Sequence, residues 1–158
     1  MKSPYLKLCE ALERVKETGR NKIWIIGNGG SLTQAEHFAG ELLPDGIPCI
    51  ALTHPGVLSA IANDWGVDKM FSLQLKAVVY PNDVLICLTT SNMSKNIREA
   101  QVVASKLGAK VFVITGLDSP ETAWGINVRV ASQNTQGIQE ETLNLLHDLW
   151  KDCKEIWK

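Results

Sequence analysis

The sequence predicts an α/β fold, a three-layer αβα sandwich in which helices cover both faces of a five-stranded parallel sheet. Three observations carry this. Strand-like and helix-like segments alternate along the whole chain, the pattern of a parallel sheet with helical crossovers. The strand segments are short apolar runs rich in β-branched residues, as expected where both faces are covered. Two of them end in glycine- or hydroxyl-rich turns, and in such sheets ligands sit outside the carboxyl ends of the strands. The 158 residues suit a single domain, residues 1–158, with room for a sizeable core.

The first helix is expected from Tyr5 to Thr18, with Ser3 as cap, Pro4 in the first turn and Gly19 at the stop. Its stripe of Leu6, Cys9, Leu12 and Val15 suits packing on this domain or on a second subunit equally. Next comes a strand–turn–helix unit from Lys22 to Leu42. Ile23 to Ile26 is the strand, Gly27 to Gly30 the turn, and Ser31 the expected N-cap of the following helix. Helix N-termini behind such turns bind anions, usually phosphate.

Pro48 to Leu52 reads as the second strand, and Val57 to Ala62 as a brief helix broken at Asn63-Asp64-Trp65-Gly66. Lys69 to Val79 has helical spacing and stops before Pro81. Asp83 to Leu88 is the clearest strand, followed by the hydroxyl-rich turn Thr89-Thr90-Ser91-Asn92-Met93-Ser94 and a helix from Lys95 to Leu107. Lys110 to Thr115 and Ile126 to Val130 are the last strands, and Ile138 to about Trp157 the last helix.

Composition narrows the function. Hydrophobic residues at 45% and charged residues at 21% are globular values, not those of a disordered chain. A net charge of −1 carries no electrostatic footprint for nucleic acid. No apolar run approaches the roughly 20 residues that span a bilayer, and Met1-Lys2-Ser3-Pro4 leads into no signal-peptide core. A cytoplasmic protein without membrane or nucleic-acid partners is expected. The four cysteines form no CxxC pair, and Cys49 and Cys87 lie in strand-like runs, so buried free thiols are expected.

Two familiar nucleotide sites drop out. Gly27-Asn28-Gly29-Gly30-Ser31-Leu32 has Leu where a dinucleotide fingerprint needs its last glycine, and Thr53-His54 replaces the ribose-binding acid. No Gly-Lys-Ser/Thr is present for a P-loop. The turn from Thr89 to Ser94 offers four hydroxyls, which serve equally to cap a helix or, with backbone N–H groups, to cradle a phosphate or polyol. His37 and Glu41, four apart, share a helix face. Gln139 and His147, eight apart, differ by about 80° around theirs. Together they would make a mixed nitrogen and oxygen set that Zn²⁺ accepts, although an i, i+4 His–Glu pair is by default a surface pair.

Gly27-Asn28-Gly29-Gly30-Ser31, His37-Phe38-Ala39-Gly40-Glu41-Leu42, Asn63-Asp64, Thr90-Ser91 with Ser94, and Ile138-Gln139-Glu140 with His147 together resemble the phosphoheptose isomerases, enzymes with a sugar isomerase (SIS) domain. The likeness covers nearly the whole chain. It implies a flavodoxin-like SIS domain assembled as a homotetramer. The activity implied is conversion of sedoheptulose 7-phosphate to D-glycero-D-manno-heptose 7-phosphate, toward the heptose of bacterial lipopolysaccharide. By the same resemblance His37, Glu41, Gln139 and His147 hold one zinc ion per subunit, and Glu41 and His147 are the acid–base pair. Asn28, Gly29, Gly30, Asn63, Asp64, Thr89, Thr90, Ser91, Ser94 and Gln139 contact the substrate.

Departures from the family pattern bear on substrate choice. The helix holding Glu41 runs straight into Leu43-Pro44-Asp45-Gly46, without the longer arginine-bearing loop of the family, and the chain is short for it. Thr89 replaces a usual serine, Asn92-Met93 a usual Gly-Asn, Gln136 a common acid and Thr142 a common second histidine. The alternatives are an isomerase of another ketose phosphate and a non-catalytic SIS module that binds a phosphosugar or a protein.

Overall fold

The computed structural model describes residues 2–156; Trp157, where the last helix is expected to end, lies outside them. In chain order the elements are α1 (Pro4–Thr18), β1 (Ile23–Gly27), α2 (Gly30–Leu42), β2 (Cys49–Ala51), α3 (Pro55–Trp65), α4 (Ser72–Val78), β3 (Val84–Leu88), α5 (Lys95–Lys106), β4 (Lys110–Gly116), β5 (Ile126–Val130) and α6 (Thr135–Ile156). The five strands form one sheet in the order β2-β1-β3-β4-β5, every neighbouring pair parallel. This is the expected α/β architecture.

Two apolar clusters make the three layers. On one face Leu8, Leu12 and Val15 of α1, Phe38 and Leu42 of α2, and Leu146 and Leu149 of α6 pack on Ile23, Ile25, Val84 and Ile86. On the other, Phe71 and Leu75 with Ile97, Ala100 and Ala104 of α5 cover Trp24, Ile26, Leu85 and Cys87. Alternate residues of β1 and β3 therefore face opposite layers and are all buried. That is why these strands read as unbroken apolar runs. All four cysteines are free and buried, and burial pushes the Cys49 and Cys87 thiols well up from their ordinary range. No described helix is long and apolar enough to cross a membrane.

Three expected boundaries move. The brief helix at Val57 to Ala62 extends as α3 through Asn63, Asp64 and Trp65, stopping at Gly66 with φ +95°. The weak helix formers Asn63 and Asp64 do not break it; the chain leaves the helix at Gly66, whose positive φ favours glycine. The segment from Lys69 to Val79 divides into a 3-10 turn at Val67–Lys69 and the helix α4. Ser31 is not a cap: it is buried inside α2, which Gly29 opens with φ +55° and ψ −123°, a conformation suited to glycine.

One buried carboxylate ties the amino end of the sheet. Asp83, 1% exposed, accepts from Asn21 Nδ2, the Lys22 N–H, Trp24 Nε1 and the Tyr80 N–H at 2.9–3.2 Å. Asp83→Ala strands these donors and is expected to cost about 3 kcal/mol, lowering the melting temperature by about 10 °C in a calorimetric scan. A shift of a degree or two would contradict this role.

Candidate functional site

α2 and α6 meet at the carboxyl end of the sheet, where Gln34 of α2 donates from Nε2 to the Gln139 carbonyl of α6 at 2.6 Å. One and two turns beyond Gln34, His37 and Glu41 project from α2, and His147 faces them from α6. His37 Nε2 lies 3.0 Å from His147 Nε2. Glu41 Oε1 lies 3.5 Å from the first nitrogen and 3.6 Å from the second. Glu41 Oε2 is buried and has no hydrogen-bond partner.

Two imidazole nitrogens in contact cannot both carry a proton, so at least one lone pair points inward. A tetrahedral ion with bonds of about 2.0–2.2 Å needs its donors about 3.3–3.6 Å apart, close to the triangle observed. The donor set is two nitrogens and a carboxylate oxygen, and one buried carboxylate atom is left unpaired. His37, Glu41 and His147 are thus a group able to hold a metal ion, and borderline divalent ions suit it. The cluster is open to solvent on one side, with His37 52% and Glu41 22% exposed at the side chain.

Gln139 lies eight residues before His147 on α6, just over two helical turns, against the opening turn of α2. A Cβ built on Gly30 would fall 2.9 Å from Gln139 Nε2 and 3.1 Å from its Oε1. Any side chain at position 30 would displace that amide. The beginning of α2 and the beginning of α6 therefore share one surface, with Gln139 between Gly30 and Gln34.

The hydroxyl-rich turn is built partly by its own hydroxyls. Thr89 is buried, and its Oγ1 accepts from the Asn92 N–H at 3.1 Å; Ser91 Oγ accepts from the Met93 N–H. Both close the turn, as in the capping alternative. Ser94 is the N-cap of α5 in extended backbone, yet its side chain makes no capping bond. Thr90 and Ser91 line a cleft of about 290 Å³ with Gly116, Ser119, Gln133 and Ile138. Asn92 takes φ +51°, which asparagine tolerates, and its amide is held by the Pro120 carbonyl and Gln101 Nε2.

Of the remaining candidates, Asn28 sits in the β1–α2 turn with its amide paired to Asn96. Asn63 and Asp64 are exposed on the last turn of α3 and bonded to each other at 2.8 Å. Among the described residues they make no hydrogen bond to the other candidates. Sequence reasoning missed Asn96 and Gln34, and it missed how the short connection after α2 is held. Trp150 Nε1 donates to Asp45 Oδ2 at 2.9 Å and Lys154 Nζ lies 3.4 Å from Oδ1. The indole bond and the ammonium hold the Asp45 carboxyl below its usual range.

No family model matches the chain. It is 36% identical over 153 residues to the phosphoheptose isomerase of Trichlorobacter lovleyi, spanning 90% of this chain and 78% of that protein. It superposes on a solved phosphoheptose isomerase from Francisella tularensis with a TM-score of 0.89 and 30% identity, over 96% of this chain and 85% of the other. The sugar isomerase domain of the RpiR transcription factor from Sphaerobacter thermophilus shares the fold alone, with a TM-score of 0.71 at 16% identity over 97% of this chain and 78% of that one.

Proposed function

The chain belongs to the phosphoheptose isomerase family, and we propose that residues 1–158 form one SIS domain acting as a metal-dependent aldose–ketose isomerase. The substrate is sedoheptulose 7-phosphate and the product D-glycero-D-manno-heptose 7-phosphate. The observation that carries this reading is the triangle of His37, Glu41 and His147 with its unpaired buried Glu41 oxygen. A module that only binds phosphosugars has no use for such a cluster beside its ligand turns.

In this reading His37, Glu41, His147 and Gln139 hold one Zn²⁺ per subunit, which when bound polarises the substrate oxygens. The residues of the chain do the rest. Glu41 takes the proton from C1, the C1–H electrons form a C1=C2 double bond, and the C2 carbonyl oxygen is protonated by His147. Protonated Glu41 then gives its proton to C2, the C1=C2 electrons forming the new C2–H bond, while the C1 hydroxyl proton passes to the now-unprotonated His147 and the C1–O bond becomes the aldehyde carbonyl. Glu41 Oε1 faces both imidazoles, where a ligand atom belongs, and in this reading Glu41 is the base as well. Asn28, Gly29, Gly30, Asn63, Asp64 and Gln139 contact the sugar. Thr89, Thr90, Ser91 and Ser94, with the N-terminus of α5, take the phosphate, fixing the far end of the substrate.

The protein works in the cytoplasm as a homotetramer, without nucleic-acid or membrane partners. α3 supports self-association, since it has no buried residue and exposes Val57 and Trp65. The test is a panel of ketose phosphates of five to seven carbons assayed with the purified, zinc-supplied protein. Sedoheptulose 7-phosphate should give the highest kcat/KM. Preference for a shorter ketose phosphate would identify an isomerase of another substrate, and turnover of none would leave a binding module.

A further inference from the structure

The two turns assigned to the ligand are joined by a pair of amides. Asn28, between β1 and α2, donates from Nδ2 to Asn96 Oδ1 at 3.0 Å, and Asn96 Nδ2 donates back to Asn28 Oδ1 at 2.8 Å. Asn96 lies two residues after Ser94 in the first turn of α5 and is 5% exposed. Its Oδ1 also accepts from the Ile97 N–H at 2.9 Å. That third bond fixes which end of the amide is oxygen, and so fixes the sense of the pair.

We propose that Asn96 is a positioning residue for isomerisation, acting through Asn28 to set the separation between the β1–α2 turn and the Thr89–Ser94 turn. The inference rests on the function proposed above, in which the first turn faces the reacting end of the sugar and the second holds its phosphate. These turns follow neighbouring strands, β1 and β3, but the ladder ends at Gly27 and Leu88. Beyond it the reciprocal amide pair ties the first turn to the start of α5, the helix that follows the second turn. A substrate anchored by its phosphate presents C1 and C2 to the base only if that separation is held, and small misplacements cost large factors in rate. The sequence gives no reason to single out Asn96, which reads there as an ordinary first-turn residue.

A double-variant cycle in kcat tests this, with the folded fraction of each protein checked by circular dichroism melting. Asn28→Ala and Asn96→Ala are each expected to lower kcat about 10- to 100-fold. The double variant should be no more than about threefold below the worse single, because the two act as one unit. Asn96→Ser keeps a short acceptor near the Ile97 N–H but cannot reach Asn28, so it should lose as much as Asn96→Ala. Losses that multiply in the double variant, or an Asn96→Ser protein with wild-type kcat, would show that Asn96 only supports α5 and would overturn the proposal. An inactive wild-type protein would instead overturn the functional reading. The same cycle is then read in calorimetric binding of sedoheptulose 7-phosphate, where additive losses contradict the coupling and non-additive ones uphold it.

Discussion

Glu41→Gln is expected to lower isomerase turnover by about 10³-fold while leaving the fold intact. The side chain keeps its length and an oxygen at the position of Oε1, so contact with His37 and His147 is retained. What it loses is the charge and with it the ability to take a proton from carbon. Stability should not suffer. Glu41 Oε2 is buried and has no hydrogen-bond partner, and a neutral amide at a desolvated position carries a smaller penalty than a carboxylate. The melting temperature without metal should therefore equal or exceed that of the parent. An active Glu41→Gln protein would show that the base lies elsewhere.

His147→Ala is expected to be as damaging for a different reason. It removes one of three donors that lie within 4.8 Å of one another, and with it the residue proposed as the acid for the substrate oxygens. The remaining donors, His37 and Glu41 of α2 with Gln139, hold a divalent ion far more weakly, so the variant should lose metal during purification as well as turnover, about 10³-fold. Metal content separates the two variants: Glu41→Gln keeps both imidazoles and an amide oxygen in place of Oε1, so it should retain more metal than His147→Ala, which loses a nitrogen donor outright. A His147→Ala protein that still carries stoichiometric metal would mean that the ion is bound elsewhere.

The architecture was legible because the central strands are buried on both faces. Ile23 to Ile26 and Val84 to Leu88 alternate between two helical layers, which leaves no polar position to blur the pattern. The pairing of α2 with α6 was legible only through spacing, four residues for His37 and Glu41 and eight for Gln139 and His147, read together with a family likeness. Local signals misled where a stronger one stood next door. Ser31 has the chemistry of a cap, but the backbone of Gly29 starts the helix earlier; Asn63 and Asp64 look like a break, but Gly66 is the stop.

What could not be read was long-range polar pairing. Asn28 and Asn96 are 68 residues apart, and Gln34 reaches Gln139 across 105. An amide carries no periodicity that would announce its partner. The same holds for the connection after α2. Its shortness is plain in Leu43-Pro44-Asp45-Gly46, but its attachment to α6 through Trp150 and Lys154 depends on two side chains more than 100 residues away.

The most direct test of the metal-dependent reading is titration of chelator-stripped protein with Zn²⁺ while conversion of sedoheptulose 7-phosphate is followed. Activity should be absent without metal and rise to a plateau at about one equivalent per chain, with His147→Ala showing no such plateau. Full activity in the stripped protein, or no activity at any zinc concentration in a protein that binds the sugar phosphate, would contradict a metal-assisted isomerase built on His37, Glu41 and His147.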